Sequence, residues 1–233
     1  MVQNKTVLMV FSLSAAQEAE RKSLFRHHNK SVSKNFFELL IQQTSGIALE
    51  SGLDVIWVDN KKQRGSTFGQ RYANAFQELF DQGYTNVLSI GNDCPDLTVR
   101  EIKDSVKKLE QNDFVIGPSK DGGAYLIGIQ KHAFVYKQFC SLSWEKDSLY
   151  KELLLHVHKN KAAVYCLPML SDLDKEADII EFAYRRTRSV LSHFIRFHLR
   201  KNQLPNFWQP KNKISFLPNT EHVLRGPPNL LGT

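Results

Sequence analysis

Three short segments carry carboxylates where they could do chemistry. In Ser89-Ile-Gly-Asn-Asp-Cys-Pro-Asp-Leu-Thr98, an apolar run gives way to Asp93 and Asp96 just before a helix start. A carboxylate at a strand's end is suited to hold a hard divalent cation that also touches phosphate oxygens, and Pro95 stiffens the turn. Asp96 reads equally well as a surface or capping acid of an Asx-type turn. In Gly117-Pro-Ser-Lys-Asp-Gly-Gly-Ala-Tyr-Leu-Ile-Gly128 the paired glycines Gly122 and Gly123 let the backbone approach a ligand, with Asp121 beside them. A hairpin turn built on Asp-Gly explains the same residues without chemistry. Ser171-Asp-Leu-Asp-Lys-Glu-Ala-Asp178 adds Asp174, placed to cap the next helix, and Asp172, which no capping role explains.

The elements that must position these loops follow from hydrophobic periodicity. Strands are predicted over 6–12, 54–58, 86–90, 114–117, 124–129 and 162–167. Helices are predicted over 15–25, 32–51, 69–82, 98–110 and 148–158, and one long helix runs from 178 to about 199. Phe36, Leu39, Leu40, Gln43 and Ile47 fall at helical spacing in the second helix, and Tyr72, Ala73, Phe76, Leu79 and Phe80 form one face of the third. Thr98 with Glu101 reads as a capping box. Strands alternating with helices imply an α/β fold, a three-layer αβα sandwich on a mostly parallel sheet. Ligands in such folds bind beyond the carboxyl ends of the strands, in the loops 61–68, 92–97, 119–123 and 171–178.

The chain has 233 residues and a formal net charge of +7. From residue 179 onward there are nine Lys/Arg against two acids, while the preceding body balances 22 bases against 22 acids. No apolar run is long enough to span a bilayer, and 7–13 is too short for a secretory signal, so a cytoplasmic setting is expected. Cys94, Cys140 and Cys166 form neither a disulfide framework nor a zinc pattern, and the eight histidines form no metal set.

The run Gln63-x-Gly65…Phe68-Gly69-Gln70-Arg71, then Gly91-Asn-Asp-Cys-Pro-Asp-Leu97, Gly117-Pro…Asp121-Gly-Gly…Tyr125-Leu-Ile-Gly128, Trp144 and Asp172-Leu-Asp174…Asp178 resembles a known family. It is similar to the glycosyltransferase-A-fold (GT-A) transferases associated with radical-SAM and selenodomain proteins, relatives of the molybdenum-cofactor and phospholactate guanylyltransferases. The resemblance spans about residues 5 to 182, with a C-terminal helix and extension over 183–233. It implies a nucleotide-binding sandwich in which Asp93 holds Mg²⁺ or Mn²⁺ against a diphosphate and Asp172 or Asp174 completes the metal site. It also implies that Asp121, Gly122 and Gly123 face donor or acceptor, and that Gln63, Gly65 and Arg71 lie near the nucleotide or phosphates. The chain departs from the family after the first strand. There Ser12-Leu-Ser-Ala-Ala-Gln-Glu-Ala-Glu-Arg-Lys-Ser-Leu24 replaces a glycine-bearing basic loop, with Arg21 and Lys22 as partial substitutes beside Glu18 and Glu20.

The sequence therefore points to a metal-dependent transferase using a nucleotide-activated donor, by glycosyl or nucleotidyl transfer. Two alternatives stay open: a non-catalytic descendant of the fold acting as a binding or scaffold protein, and an anionic-polymer binder working through the basic tail. The expected partners are a nucleotide or nucleotide-sugar and a second copy of the chain through its C-terminal extension; no membrane is expected, and nucleic acid is disfavoured. Phe194, Ile195, Phe197, Phe207, Trp208, Phe216 and Leu224 are too apolar for a solvated tail, which is expected to dock on the domain or on that second copy.

Overall fold

The structure, a computed structural model, describes residues 5–22, 24–25 and 30–199. Its elements run β1 (Thr6–Phe11), α1 (Ala15–Arg21), α2 (Lys30–Glu50), β2 (Asp54–Val58), α3 (Phe68–Asp81), β3 (Asn86–Ile90) and α4 (Val99–Leu109). They continue with β4 (Phe114–Pro118), β5 (Ala124–Gln130), α5 (Tyr136–Cys140), α6 (Leu149–Lys159), β6 (Val164–Cys166), α7 (Glu176–Arg185) and α8 (Val190–His198). A single 3₁₀ turn, Lys131–Ala133, follows β5.

The six strands form one sheet in the order β2-β1-β3-β5-β4-β6. Every pairing is parallel except those of β5, which runs against both β3 and β4. The antiparallel insertion arises because β4 and β5 are a hairpin, closed by the turn that carries Asp121. Interior strands β3 and β4 are buried along their whole length, as expected of strands covered on both faces. On one face Val7, Met9, Val87 and Ile116 pack against Tyr72, Phe76 and Phe80 of α3, Phe139 of α5 and Leu153 of α6. On the other, Leu8, Val10, Leu88 and Val115 meet Ala48 of α2 and Ile102 and Leu109 of α4. The three-layer α/β architecture is thus present.

Local signals place α4 where the sequence puts it. The Thr98 backbone N–H donates to Glu101 Oε2 at 3.0 Å, and the Thr98 hydroxyl oxygen accepts from the Arg100 N–H at 3.2 Å. In α2 the buried stripe is rotated from the expected one, to Phe36, Phe37, Leu40, Thr44 and Ala48. Gln43 stays off the core and donates its amide to the Pro95 carbonyl at 2.8 Å, fixing the loop after β3.

The helix expected over 178–199 is two helices. Arg186 leaves helical geometry and places its Nε 2.8 Å from Asp96 Oδ1, while Ser189 caps a new helix by accepting from the Ser192 N–H at 3.0 Å. The turn lays α8 back on α2, where Phe194 packs on Phe25 and Phe36 at centroid distances of 6.0 and 5.9 Å. Ile195 is buried and Phe197 is exposed. The docking expected of Phe207, Trp208, Phe216 and Leu224 lies outside the described residues.

Asp96 is neither a surface acid nor a helix cap. Its side chain is 4% exposed and is gripped by Arg185 and Arg186, whose own side chains are 40% and 54% exposed. Burial pushes the Asp96 carboxyl up, but the two guanidinium groups override this and hold it below the usual range. Such a group stabilises the fold above its unfolded pKa of about 3.9 and loses that contribution as pH falls through its lower folded value. The pair is asymmetric, because either arginine can return to water and the aspartate cannot. Replacing both (Arg185→Ala/Arg186→Ala) is expected to cost about 2–3 kcal/mol at pH 7 in urea unfolding, with the gap to wild type narrowing as pH falls toward 4 and below. A smaller loss is expected from Asp96→Asn, which leaves only exposed charges unpaired.

Candidate functional site

A cleft of about 750 Å³ opens at the carboxyl edge of the parallel strands. Its wall takes Phe11 and Ser12 from the end of β1, residues 89–93 from the end of β3, Asp121 and Gly123 from the β4–β5 hairpin, and residues 171–175 beyond β6. Asp93, Asp121, Asp172 and Asp174 all line this one cleft, together with Gln63 and Arg71.

Backbone bonds explain why the acidic loops meet. The Leu173 N–H donates to the Asp93 carbonyl at 2.9 Å, and the Lys120 N–H donates to the Leu170 carbonyl at 2.9 Å. These bonds tie the segment beyond β6 to the loop after β3 and to the hairpin turn. Asp174 does not cap α7. Lys175 is the cap residue, and Asp178 Oδ2 accepts from the N–H groups of Asp174 and Lys175 at 3.0 and 2.7 Å. The Asp174 side chain is thereby free to face the cleft.

What it meets there is Lys22. The Lys22 ammonium lies 2.7 Å from Asp93 Oδ2 and 2.6 Å from Asp174 Oδ1. The predicted helix over 15–25 ends early at Arg21, and Lys22 continues in extended geometry at φ −107° and ψ 118°, directing its side chain inward. Burial alone would lower the Lys22 pKa, but Asp93, Asp174 and the buried Glu18 hold the ammonium charged and raise it. For Asp93 burial works upward, and the Lys22 ammonium overrides it to leave the carboxyl below its usual range. Asp172 has no such cation among the described residues. Burial, followed by the charges of Asp93, Asp121 and Asp174, pushes its carboxyl up to about 8, and its buried Oδ1 has no hydrogen-bond partner.

The oxygen donors of Asp93, Asp172 and Asp174 fit the chemistry of a hard divalent cation, and the orphaned Asp172 oxygen marks a missing partner. Their present spacing fits the ammonium instead. Among the described residues no three His, Cys, Asp or Glu groups converge closely enough to ligate one ion.

The remaining residues divide between wall and scaffold. The Arg71 guanidinium lies 5.9 Å from the Phe68 ring centroid and has no carboxylate partner among the described residues. Phe68 and Trp144 stand 5.7 Å apart and, with Phe11 and Tyr72, make an aromatic side to the cleft. Gln63 donates its amide to the Ser12 and Val58 carbonyls at 2.9 and 3.2 Å, joining the ends of β1 and β2. Asp121 Oδ1 accepts from the Ser119 hydroxyl and, at 3.0 Å, from the Gly123 N–H, so the carboxylate also organises its own turn. Gly65 and Gly122 are not on the cleft wall. Gly65 turns the chain at φ +133° before α3, and Gly122 holds φ +91° against the 144–149 segment. Glu18 and Glu20 precede Lys22 in a helical pattern, and only its place in the segment that stands where the resemblance implies a basic loop singles it out in the sequence.

Residues 42–146 match the DUF2064 family model, described as an uncharacterized protein conserved in bacteria. The chain is 24% identical over 144 residues to 2-phospho-L-lactate guanylyltransferase of Methanocaldococcus sp. (strain FS406-22). That match takes in 60% of this chain and spans only 62% of the length of the relative. A solved structure described as "putative nucleotide-diphospho-sugar transferase from Desulfovibrio desulfuricans G20" superposes with a TM-score of 0.74 at 21% identity. It covers 84% of this chain and 95% of its own. The fold is that of the nucleotide-diphospho-sugar transferases, and the resemblance read from the motifs is borne out.

Gly122 offers a test of how the hairpin is held. A Cβ there would overlap the Asp147 carbonyl and sit on a backbone with positive φ. The Tyr150 N–H donates to the Gly122 carbonyl at 2.9 Å, so the two segments cannot simply part. Gly122→Ala is expected to cost at least about 2 kcal/mol in thermal or urea unfolding, whereas Gly83→Ala, also at positive φ but with open space around its Cβ, costs less.

Proposed function

We propose that this protein is a transferase acting on a nucleotide-activated donor, by nucleotidyl or glycosyl transfer. The observation that carries the reading is the meeting of Asp93, Asp121, Asp172 and Asp174 with Lys22 and Arg71 in one cleft beside an aromatic wall. Cations and carboxylates side by side suit a phosphate chain and a divalent ion held together, and flat rings suit a base. The names of the guanylyltransferase relative and of the structural neighbour support the same class.

In this reading Arg71, free of a carboxylate partner, binds the phosphates as a planar fork, with Lys120 at the exposed rim. Phe68 and Trp144 orient the base or sugar. A divalent ion held by Asp93 with Asp172 or Asp174 would supply neutralisation of the charge that develops on the phosphates. Asp121 Oδ1 is used by its turn, and the other carboxylate oxygen is left to accept the proton of an acceptor hydroxyl. Orientation by the rigid β4–β5 hairpin keeps that oxygen at a fixed place on the cleft wall.

Isothermal titration of the full chain with GTP, CTP and UDP-glucose, with and without Mn²⁺, tests this. At least one nucleotide is expected to bind more tightly with Mn²⁺, and Asp93→Asn should weaken that complex tenfold or more, about 1.4 kcal/mol, with an unchanged circular dichroism spectrum. If none of the three binds under either condition, the transferase reading falls and the non-catalytic descendant replaces it.

A further inference from the structure

The metal ligands and the Lys22 ammonium make claims on the same space. Nζ stands within hydrogen-bond distance of one oxygen of Asp93 and one of Asp174, at 2.7 and 2.6 Å, between the two carboxylates. A Mg²⁺ or Mn²⁺ ion would need oxygens at about 2.0–2.2 Å in that volume and would lie against a positive charge. The two occupants exclude each other. The ammonium is also well secured, since its side chain is only 19% exposed and Glu18 is buried close by. Lys22 lies one residue past the end of α1, on extended backbone, and its ammonium is carried by four rotatable methylenes.

Resting on the metal-dependent reading above, we propose that Lys22 is a resident cation that keeps divalent metal out of the ligand-free cleft and is drawn off by phosphate, so that metal enters with or after the anion. Lys22 thus acts as a positioning residue. In the empty cleft it cancels the repulsion between Asp93 and Asp174; with phosphate present it has an anion of higher charge to pair with, and the two aspartates are released to oxygen-ligate metal beside the unpartnered Asp172 oxygen. No bond is made or broken in this exchange. The unpaired Arg71 gives the incoming phosphate a first point of attachment that does not require Lys22 to have moved.

The test measures Mn²⁺ binding directly, from the electron paramagnetic resonance signal of free Mn²⁺, for the full-length wild type, Lys22→Met, and Lys22→Met/Asp93→Asn. With Mn²⁺ alone, Lys22→Met is expected to bind at least tenfold more tightly than wild type, and adding Asp93→Asn should abolish the gain. Inorganic phosphate, corrected for its own Mn²⁺ complex, should tighten Mn²⁺ binding to wild type by a larger factor than to Lys22→Met. Because Lys22→Met leaves two carboxylates facing each other, a lowered melting temperature is expected, and Mn²⁺ should restore it in this variant more than in wild type; Lys22→Gln gives the same comparison if Lys22→Met does not fold. Equal Mn²⁺ affinity in wild type and Lys22→Met, lost in both on Asp93→Asn, would overturn the exclusion while leaving the metal site standing. Absence of Mn²⁺ binding in every variant, with GTP or without it, would remove the metal reading itself and the proposal with it.

Discussion

Four aspartates face one cleft, and the half-buried Lys22 ammonium draws two of them, Asp93 and Asp174, together. Asp93 comes from the loop after β3, Asp174 from the segment beyond β6, and Lys22 from the end of α1. At separations under 3 Å the attraction of one charge for two carboxylates far exceeds what either would gain from exposed partners. Three distant stretches of chain are therefore pinned at one point. The pairing also explains why α1 stops where it does and why Asp174 is not spent on capping α7.

Around that point the structure separates residues that present chemistry from residues that hold the presenters. Gln63 and Gln43 look alike in composition terms, yet both spend their amides on backbone carbonyls, one joining β1 to β2 and the other fixing Pro95. Gly65 and Gly122 shape loops behind the cleft wall rather than touching its space. Arg71 is the contrasting case: among the described residues it is paired with a ring and not with an acid, which leaves its positive charge open to an anion entering the cleft.

Much of this was legible in the sequence wherever the determining physics is local. Strand β3 appears at its predicted bounds because apolar runs between turn residues have few other uses, and α4 appears because Thr98 and Glu101 are three residues apart. The acidic cluster was legible for a topological reason, since loops after parallel strands share one edge of the sheet. Lys22 was not, because its partner Asp93 is 71 residues away and its neighbours Glu18 and Glu20 suggest an ordinary solvated helix. The break after Arg185 was hidden in the same way. Helical spacing continues through it, and only the buried Asp96, far away in the chain, shows why Arg185 and Arg186 should both turn to one carboxylate.

Helix α7 starts just past Asp174 and ends at the arginines that hold Asp96, so its two ends are fastened near the same loop while Glu181, Phe182 and Arg185 face the cleft. Swinging this helix outward would strand a desolvated carboxylate. On the other side, α1 is joined to the 144–147 segment by Arg21 and Glu145, whose side chains are 54% and 47% exposed. Parting that pair costs under about 1 kcal/mol, because water replaces each partner. The cleft is thus bounded on one side by a desolvated ion pair and on the other by a seam between Arg21 and Glu145 that water can enter.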